Sequence, residues 1–493
     1  MITVRIKGPT AFVECGDQDR IKLDKMFTFQ IPQSYFINRA RRFSGSGWDG
    51  KAHFFSRITG RIPTGLVGFI ERAFDNAVVM GRSDLPLSVI KRRIRRVKRL
   101  SLKGIVLSDF QREAIKRAVI TLGGGILEVA TNGGKTEIAA GIIRVINKPT
   151  LYVVHRKELL HQVADRIKLR TGIKCGKIGD GLKKIRDVTV AMVQSLPRPN
   201  RKSYAFYNQF KVLVMDEAQH SSASTWYRIA RFMSAPYKYS MSGTPWTGND
   251  IKDVKLISCF GDKILARVKN QQLIKSGWSA TPTIHIWPVK CKQNGQSWFT
   301  AYQSMVVDNE KYNEGIIDIA KRKWEQGMPV LVLVNRINHG VRLYRRLIGE
   351  GIDCKFLSGS SQSIIRRKAL EKFREGKLST IVAAPIFDEG VDVPAIRCLI
   401  LAGGGKAPIT LLQRVGRALR KKKDGSNTCQ IHDFFIFGNS HLESHSLQRI
   451  GVYEREGFDI KYHHRDEFDP AITNQYFKTG EIDWHKFHKE EVR

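Results

Sequence analysis

Near the start of the chain apolar and polar residues alternate. Ile2-Thr-Val-Arg-Ile6 predicts a strand, Gly8-Pro9 a turn and Ala11-Phe-Val-Glu-Cys15 a second strand. Leu66, Phe69, Ile70 and Phe74 then recur at helical spacing within Gly65–Val78, so residues 1–90 read as a small α+β unit. From about residue 105 the pattern changes to short, nearly continuous aliphatic runs set between helical stretches. Gly125–Val129, Thr150–Val154, Val188–Val193 and Lys211–Met215 are such runs, and the texture returns at Pro329–Val334, Cys354–Leu357, Ser379–Ala384 and Cys398–Leu401. A strand that is aliphatic on both faces is covered on both faces, which predicts parallel sheets flanked by helices. The expected fold class is therefore α/β: two tandem parallel-sheet domains joined near residues 265–285, with a small N-terminal α+β domain and a short C-terminal extension. The expected boundaries are 1–100 (ending in a basic linker), 101–275, 276–440 and 441–493.

Charge changes the picture more than composition does. Hydrophobic and charged fractions are ordinary for a globular protein, but the formal net charge is +37. A surplus that large repels itself, and a polyanion relieves it, so nucleic acid is the expected partner. A membrane is not expected, because no apolar run reaches spanning length. Lys91-Arg-Arg-Ile-Arg-Arg-Val-Lys-Arg-Leu100 holds seven basic residues in ten and no acid. It reads as a phosphate-contacting segment or as a solvated linker. The seven cysteines lie far apart with no C-x-x-C pair, which argues against a zinc site or disulfide framework and for a reducing, cytoplasmic setting. The first residues carry no signal-peptide apolar core. His441, His445, His463 and His464 match no common metal spacing, so the tail is expected to pack.

The chemistry begins at Ala130-Thr-Asn-Gly-Gly-Lys-Thr136. This segment follows a predicted strand and precedes the helical pattern Ile138-Ala-Ala-Gly-Ile-Ile143, the setting of a phosphate-binding loop. Amide groups at Gly133 and Gly134 can close on phosphate oxygens, helped by the helix N-terminus. Lys135 would reach the terminal phosphates of ATP, and the Thr136 hydroxyl would hold Mg2+. Val129 stands where the general loop pattern has glycine. Asp216 ends the aliphatic run Lys211–Met215, where an acid is either functional or costly. It can hold the magnesium through water, and Glu217 beside it can orient and deprotonate a water.

These segments, in this order, resemble those of the superfamily 2 helicases and translocases across about residues 105–440. Phe110-Gln111 is similar to the adenine-reading glutamine, Ala130–Thr136 to motif I, Asp216-Glu-Ala-Gln219 to the D-E-A-x box and Ser242-Gly-Thr-Pro245 to motif III. Val330–Gly340, Glu389–Pro394 and Gln413–Arg420 resemble motifs IV, V and VI. The resemblance implies two RecA-like domains that close on ATP and Mg2+. It implies that Phe110, Gln111, Thr131, Asn132, Gly133, Gly134, Lys135, Thr136, Gly390 and Asp392 bind the nucleotide. It places Lys135, Asp216, Glu217, Gln413, Arg417 and Arg420 in the catalytic set, the two arginines stabilising charge on the transferring phosphoryl group. Ser242 and Thr244 would couple hydrolysis to DNA movement. Taken without the family, Arg414, Arg417 and Arg420 form a basic stripe that could instead meet nucleic-acid phosphates.

The matching DNA-contact positions are Arg156, Gln194, Ser195, Asn335, Arg336, Ser358 and Phe387. In the N-terminal unit Arg41, Arg42, Trp48 and Lys51 flank a glycine-rich stretch that can approach DNA, with Trp48 stacking on a frayed base or tucked into its own core. Residues 25–80, with W-D-G at Trp48–Gly50 and G-L-V-G at Gly65–Gly68, resemble the N-terminal domain of phage recombination and repair helicases. That resemblance implies an ATP-driven helicase for branched or forked DNA: junction migration, fork regression, and opening of RNA–DNA hybrids, with 3′→5′ polarity, in the host-cell cytoplasm. The oligomeric state stays open, with a monomer as the expectation. An RNA helicase, a double-strand translocase subunit of a restriction system, and a DNA-coating protein with a decayed ATP site are the competing readings.

Overall fold

The computed structural model describes residues 1–31, 49–82, 84–217, 224–247, 249–290, 297–384, 396–405, 411, 414–416, 418–422 and 426–463. The chain divides into two compact units, Met1–Lys269 and Asn270–Arg493.

The first unit opens with a four-stranded mixed sheet. Ile2–Lys7 pairs antiparallel with Thr10–Glu14 and parallel with Ala77–Met80, and Arg61–Pro63 joins the outer side of Thr10–Glu14. Ile2, Val4, Ala11, Val13 and Ile62 face the helices Asp17–Met26 and Val67–Ala73 in one core. That core continues into its neighbour, because Ile251, Val254 and Ile257 of the helix Asp250–Phe260 pack against it. The Gly65–Gly68 segment makes this possible. A Cβ on Gly65 would lie 2.1 Å from the Ile257 carbonyl oxygen, so only glycine lets the two backbones meet. Arg72 with Asp262, 2.6 Å apart, and Arg231 donating to the Pro9 carbonyl tie the same seam.

An eight-stranded sheet follows. Its strand order is Leu182–Lys184, Gly176–Gly179, Val188–Met192, Thr150–Val154, Val212–Asp216, Tyr237–Ser242, Gly125–Val129, Ile264–Val268, parallel except for the outermost hairpin. The aliphatic runs expected to be buried strands are such strands. This order sets Gly125–Val129, Tyr237–Ser242 and Val212–Asp216 side by side, so the loops after all three open at one edge.

The basic run is not a linker. Leu87–Lys98 is a helix that packs against the helix Asp109–Ile120. Its stripe of Ile90, Arg93, Ile94 and Val97 turns inward, a helical period hidden in the sequence by the cations between. Arg93 is itself buried. It donates to the Val119 carbonyl and to the Tyr237 hydroxyl, and its guanidinium sits over the Tyr237 ring.

The second unit starts at Asn270, a few residues earlier than expected, with the short helix Asn270–Lys275. Its seven-stranded sheet is wholly parallel, in the order Cys354–Leu357, Thr380–Ala383, Val330–Leu333, Cys398–Leu401, Thr428–Phe437, Thr281–Lys290, Asp459–Tyr462. The expected extension after residue 440 belongs to this domain as far as it is described. The helix Ser440–Arg455 buries Ile450, Val452 and Tyr453 in the core, and Asp459–Tyr462 is the edge strand. Arg449 and Asp433, both nearly inaccessible, bond at 2.8 Å, and the Tyr453 hydroxyl donates to the same carboxylate at 2.7 Å. His463 stacks on Trp287 at 3.7 Å and bonds His285 at 2.7 Å. Among the described residues no cluster could hold a metal ion, and no helix is long and apolar enough to cross a membrane.

The Gly65 seam predicts that Gly65→Ala lowers unfolding stability by about 1–3 kcal/mol, as an overpacked contact does. Chemical denaturation measures it, and an unchanged midpoint would show that the seam yields freely.

Candidate nucleotide site

The site grows from the ends of the three adjacent strands. After Val129 the chain turns through Ala130–Gly134, with Asn132 at φ 74° and Gly134 at φ 76°, and enters the helix Lys135–Ile146. A Cβ on Gly134 would stand 2.3 Å from the Gln111 amide nitrogen, so a side chain there would push the glutamine out. Gln111 is fixed twice. It forms a reciprocal capping box with Ser108 at the start of Asp109–Ile120, and its amide donates to the Gly133 carbonyl at 3.2 Å. The Gly133 N–H donates to the Ala130 carbonyl at 3.0 Å, so this amide, expected to meet phosphate, closes the loop on itself here. Phe110, Thr131 and Thr136 are half-buried around the same loop.

Asp216 ends its strand with the carboxylate buried. One oxygen accepts the Tyr152 hydroxyl at 3.1 Å from the neighbouring strand, and the other accepts the Glu217 N–H at 3.0 Å. Burial pushes this carboxyl above the usual carboxylate range, and the Lys135 ammonium pulls it back down. Burial and the adjoining carboxylate hold the Tyr152 phenol well above its ordinary value, so it keeps the proton that it donates to Asp216. Glu217 sits at φ 55°, a left-handed backbone that costs a non-glycine residue on the order of 1 kcal/mol and is met at functional sites. Its carboxylate lies 2.8 Å from Lys135 Nζ, with both side chains largely buried. Ser242, at the end of the strand between, accepts the Thr244 N–H at 3.0 Å, and Gly243 lies against Ala130. Loop, acid pair and Ser-Gly-Thr turn therefore form one constellation. The Thr136 hydroxyl and the Asp216 carboxylate are hard oxygen donors of the kind magnesium takes, so the residues present fit that ion. Tyr152 was not legible in the sequence as a site residue, because it sits mid-strand in Thr150–Val154 like any core aromatic.

The polar positions expected to face DNA divide. In the first unit Arg156 begins the helix Lys157–Thr171 and Gln194 bonds the neighbouring His155 carbonyl at 3.2 Å, so these two share one edge, with exposed Ser195 beside them. In the second unit Asn335 and Ser358 make their contacts within the domain. Asn335 donates to the Gly403 and Gly404 carbonyls and accepts from Arg414 at 2.8 Å. Arg414 is buried and braces Asn335. Ser358 is buried and bonds Ser360 within its own turn, a poor position for gripping a backbone. Arg336 lies over the Phe299 ring at 4.5 Å. Arg420 is half-buried where the chain bridges to Ser279. Lys51 lies on an exposed short strand. Arg41, Arg42, Trp48, Gln219, Phe387, Gly390, Asp392, Gln413 and Arg417 lie outside the described residues.

Two family profiles match this chain: "Type III restriction enzyme, res subunit" over residues 104–247 and "Helicase conserved C-terminal domain" over 312–422, together just over half of it. The chain belongs to the superfamily 2 helicases. Irc3 of Saccharomyces cerevisiae, named as an ATP-dependent helicase, is 26% identical over 71% of this chain and 54% of its own length, so the helicase described here spans little more than half of that relative. XPB2 of Sulfurisphaera tokodaii, named as a DNA 3′-5′ translocase, is 24% identical over 64% of this chain and 79% of its own. The crystal structure of bacteriophage T4 UvsW is similar over 94% of this chain and 98% of its own, at 20% identity and a TM-score of 0.44.

The buried Tyr152–Asp216 bond predicts a specific defect. Tyr152→Phe should leave the fold intact but raise the magnesium concentration for half-maximal ATP hydrolysis about tenfold, the worth of one hydrogen bond to a charged group. A magnesium titration of ATPase activity reads this directly, and an unshifted curve would make the phenol a packing residue only.

Proposed function

We propose that the chain is an ATP-driven DNA motor that remodels branched or forked DNA in recombination and repair. The observation that carries the reading is the Lys135–Glu217 pair, closed at 2.8 Å beside the buried Asp216 at the mouth of a phosphate loop. In this reading ATP draws Lys135 from Glu217 onto its terminal phosphates. Glu217, released, orients the attacking water and accepts its proton. Thr136 and Asp216 hold magnesium, which supplies positive charge to the phosphates. Phe110 and Gln111 read the adenine, and Gly390 and Asp392 line the ribose. The second domain contributes Gln413 facing the γ-phosphate, with Arg417 and Arg420 stabilising the charge that develops on it. The Ser242–Thr244 turn, packed against the loop, passes the change on to the DNA track. That track starts from Arg156, Gln194 and Ser195 and continues through Arg336 and Phe387, with Arg41, Arg42, Trp48 and Lys51 of the N-terminal unit on the duplex.

The charge of +37 supports a polyanionic substrate. The name of XPB2, a DNA translocase with 3′-5′ polarity, favours DNA over RNA and that direction of travel. Branched DNA is favoured by the likeness of residues 25–80 to phage recombination helicases. The match of residues 104–247 to a restriction-enzyme family keeps one second reading in view, translocation along intact duplex without strand separation.

The experiment is unwinding and ATP hydrolysis on forked DNA, four-way junctions, intact duplex and RNA. Junction and fork DNA should stimulate hydrolysis most and be unwound, and Arg420→Ala should slow turnover about 10³-fold while binding DNA normally. Equal stimulation by RNA would overturn the DNA assignment, stimulation by duplex without unwinding would favour the translocase, and full turnover in the Arg420 variant would remove it from the site.

A further inference from the structure

The helix Leu87–Lys98 and its capping residue Arg99 divide their cations between two tasks. Arg93 is spent inside, on the Val119 carbonyl and the Tyr237 hydroxyl, and Arg96, though exposed, is spent on the Val145 carbonyl at 3.1 Å. From the next helix Arg112 reaches back to the Val97 and Leu100 carbonyls at 3.3 and 3.2 Å, which clamps the C-terminal turn to the domain. Lys91, Arg92, Arg95, Lys98 and Arg99 remain exposed. Their spacing puts all five on one face, opposite the inward stripe of Ile90, Arg93, Ile94 and Val97. Among the described residues none of the five side chains forms an ion pair or a hydrogen bond. Lys91–Arg95 and Arg95–Arg99 are like charges at i,i+4, and Arg92–Arg95 and Arg95–Lys98 at i,i+3, spacings that destabilise a helix unless a partner screens them.

The place of this face matters as much as its charge. Arg93 holds the Tyr237 end of the strand Tyr237–Ser242, and Arg96 holds the far end of the helix Lys135–Ile146. Both anchors lie at the edge where strands begin. The phosphate loop, Arg156 and Gln194 follow strand ends, about 17 Å away along a six-residue strand. Exposed Arg144 and Lys148 flank Val145 at the same edge.

We infer that this basic face is a second binding surface for the sugar-phosphate backbone of duplex DNA, and that it holds one arm of a branched substrate while the motor track engages another. The inference rests on the motor reading above and adds a site to it. The occupant follows from chemistry. The five cations extend about 12 Å along a straight helix, against a duplex that carries one charge per about 1.7 Å of axis. No aromatic interleaves them, so bases of a single strand have nothing to stack on. The apolar face is committed to the domain core, so the helix cannot lie in a membrane surface.

The test uses the full chain with Lys91, Arg92, Arg95, Lys98 and Arg99 all replaced by Gln, a residue that keeps helix propensity. Binding of a labelled 30-base-pair duplex, a four-way junction and a single-stranded oligonucleotide is titrated over a range of salt. The expected result is weaker duplex and junction binding, with a log-affinity against log-salt slope shallower by about 3 to 5, while single-strand binding and the ATPase it stimulates are retained. A second variant with Arg92, Arg95 and Arg99 replaced by Lys should recover the parent slope, which separates charge from folding. An unchanged slope for duplex in the Gln variant overturns the inference, and so does equal loss of single-strand and duplex binding. Absence of DNA-stimulated hydrolysis in the parent chain is a different failure, one that would overturn the motor reading.

Discussion

A single ion pair organises the catalytic half of this molecule. Asp216 ends a strand that is otherwise buried aliphatic and Glu217 follows it, and carboxylates in such a place are expensive to keep ionised unless a cation meets them. Lys135 is that cation, 2.8 Å from Glu217. It can reach because the strand carrying the phosphate loop is separated from the acid strand by one other, whose own turn, Ser242–Thr244, packs against the loop. Strand order, loop conformation and the positive φ of Glu217 all serve one short contact. In the proposed function a triphosphate at the loop competes with Glu217 for Lys135, which would make this contact a switch.

Around this core the chain handles its excess positive charge in two ways. Some cations are drawn into the fold as hydrogen-bond donors: Arg93 to a carbonyl and a phenol, Arg414 to Asn335, Arg449 to Asp433. Guanidinium suits that work, since its donors fan out and its plane stacks on aromatic rings. Others stand on surfaces with no compensating acid, as on the helix after residue 86. The N-terminal unit is likewise no loose appendage. Its core is continuous with the helix Asp250–Phe260 through the close approach of Gly65.

Much of this was legible in the residues, and what was not has physical reasons. The parallel strands announced themselves because both faces are buried, so their runs lack polar interruption; Val212–Asp216 is the clearest. The strand–loop–helix turn at Ala130–Lys135 was legible because its glycines suit a tight turn, and Gly134 takes a left-handed backbone at φ 76° before the helix Lys135–Ile146. In the sequence Leu87–Lys98 reads as a phosphate-contacting segment or a solvated linker and not as a packed helix, because its inward stripe includes Arg93, a buried cation that masks the apolar period. Asn335 and Ser358 match polar positions of DNA tracks, and Arg414 belongs to a basic stripe, yet Asn335 bonds neighbouring carbonyls and Arg414, and Ser358 bonds Ser360, partner choices that only folding reveals. Tyr152 gave no signal, since a phenol reaching an acid on the adjacent strand is a tertiary fact. The helix and strand after residue 440 were missed as part of the second domain because their polar, histidine-rich texture resembles a tail, while Ile450, Val452 and Tyr453 enter the core.

The most direct test of the central claim is single-turnover hydrolysis combined with equilibrium ATP binding in Glu217→Gln. If Lys135 is held by Glu217 until nucleotide displaces it, and Glu217 then activates water, the variant should bind ATP more tightly than the parent and hydrolyse it about 10²- to 10⁴-fold more slowly. A folded Gln variant that binds ATP no more tightly and turns it over at the parent rate would contradict the account.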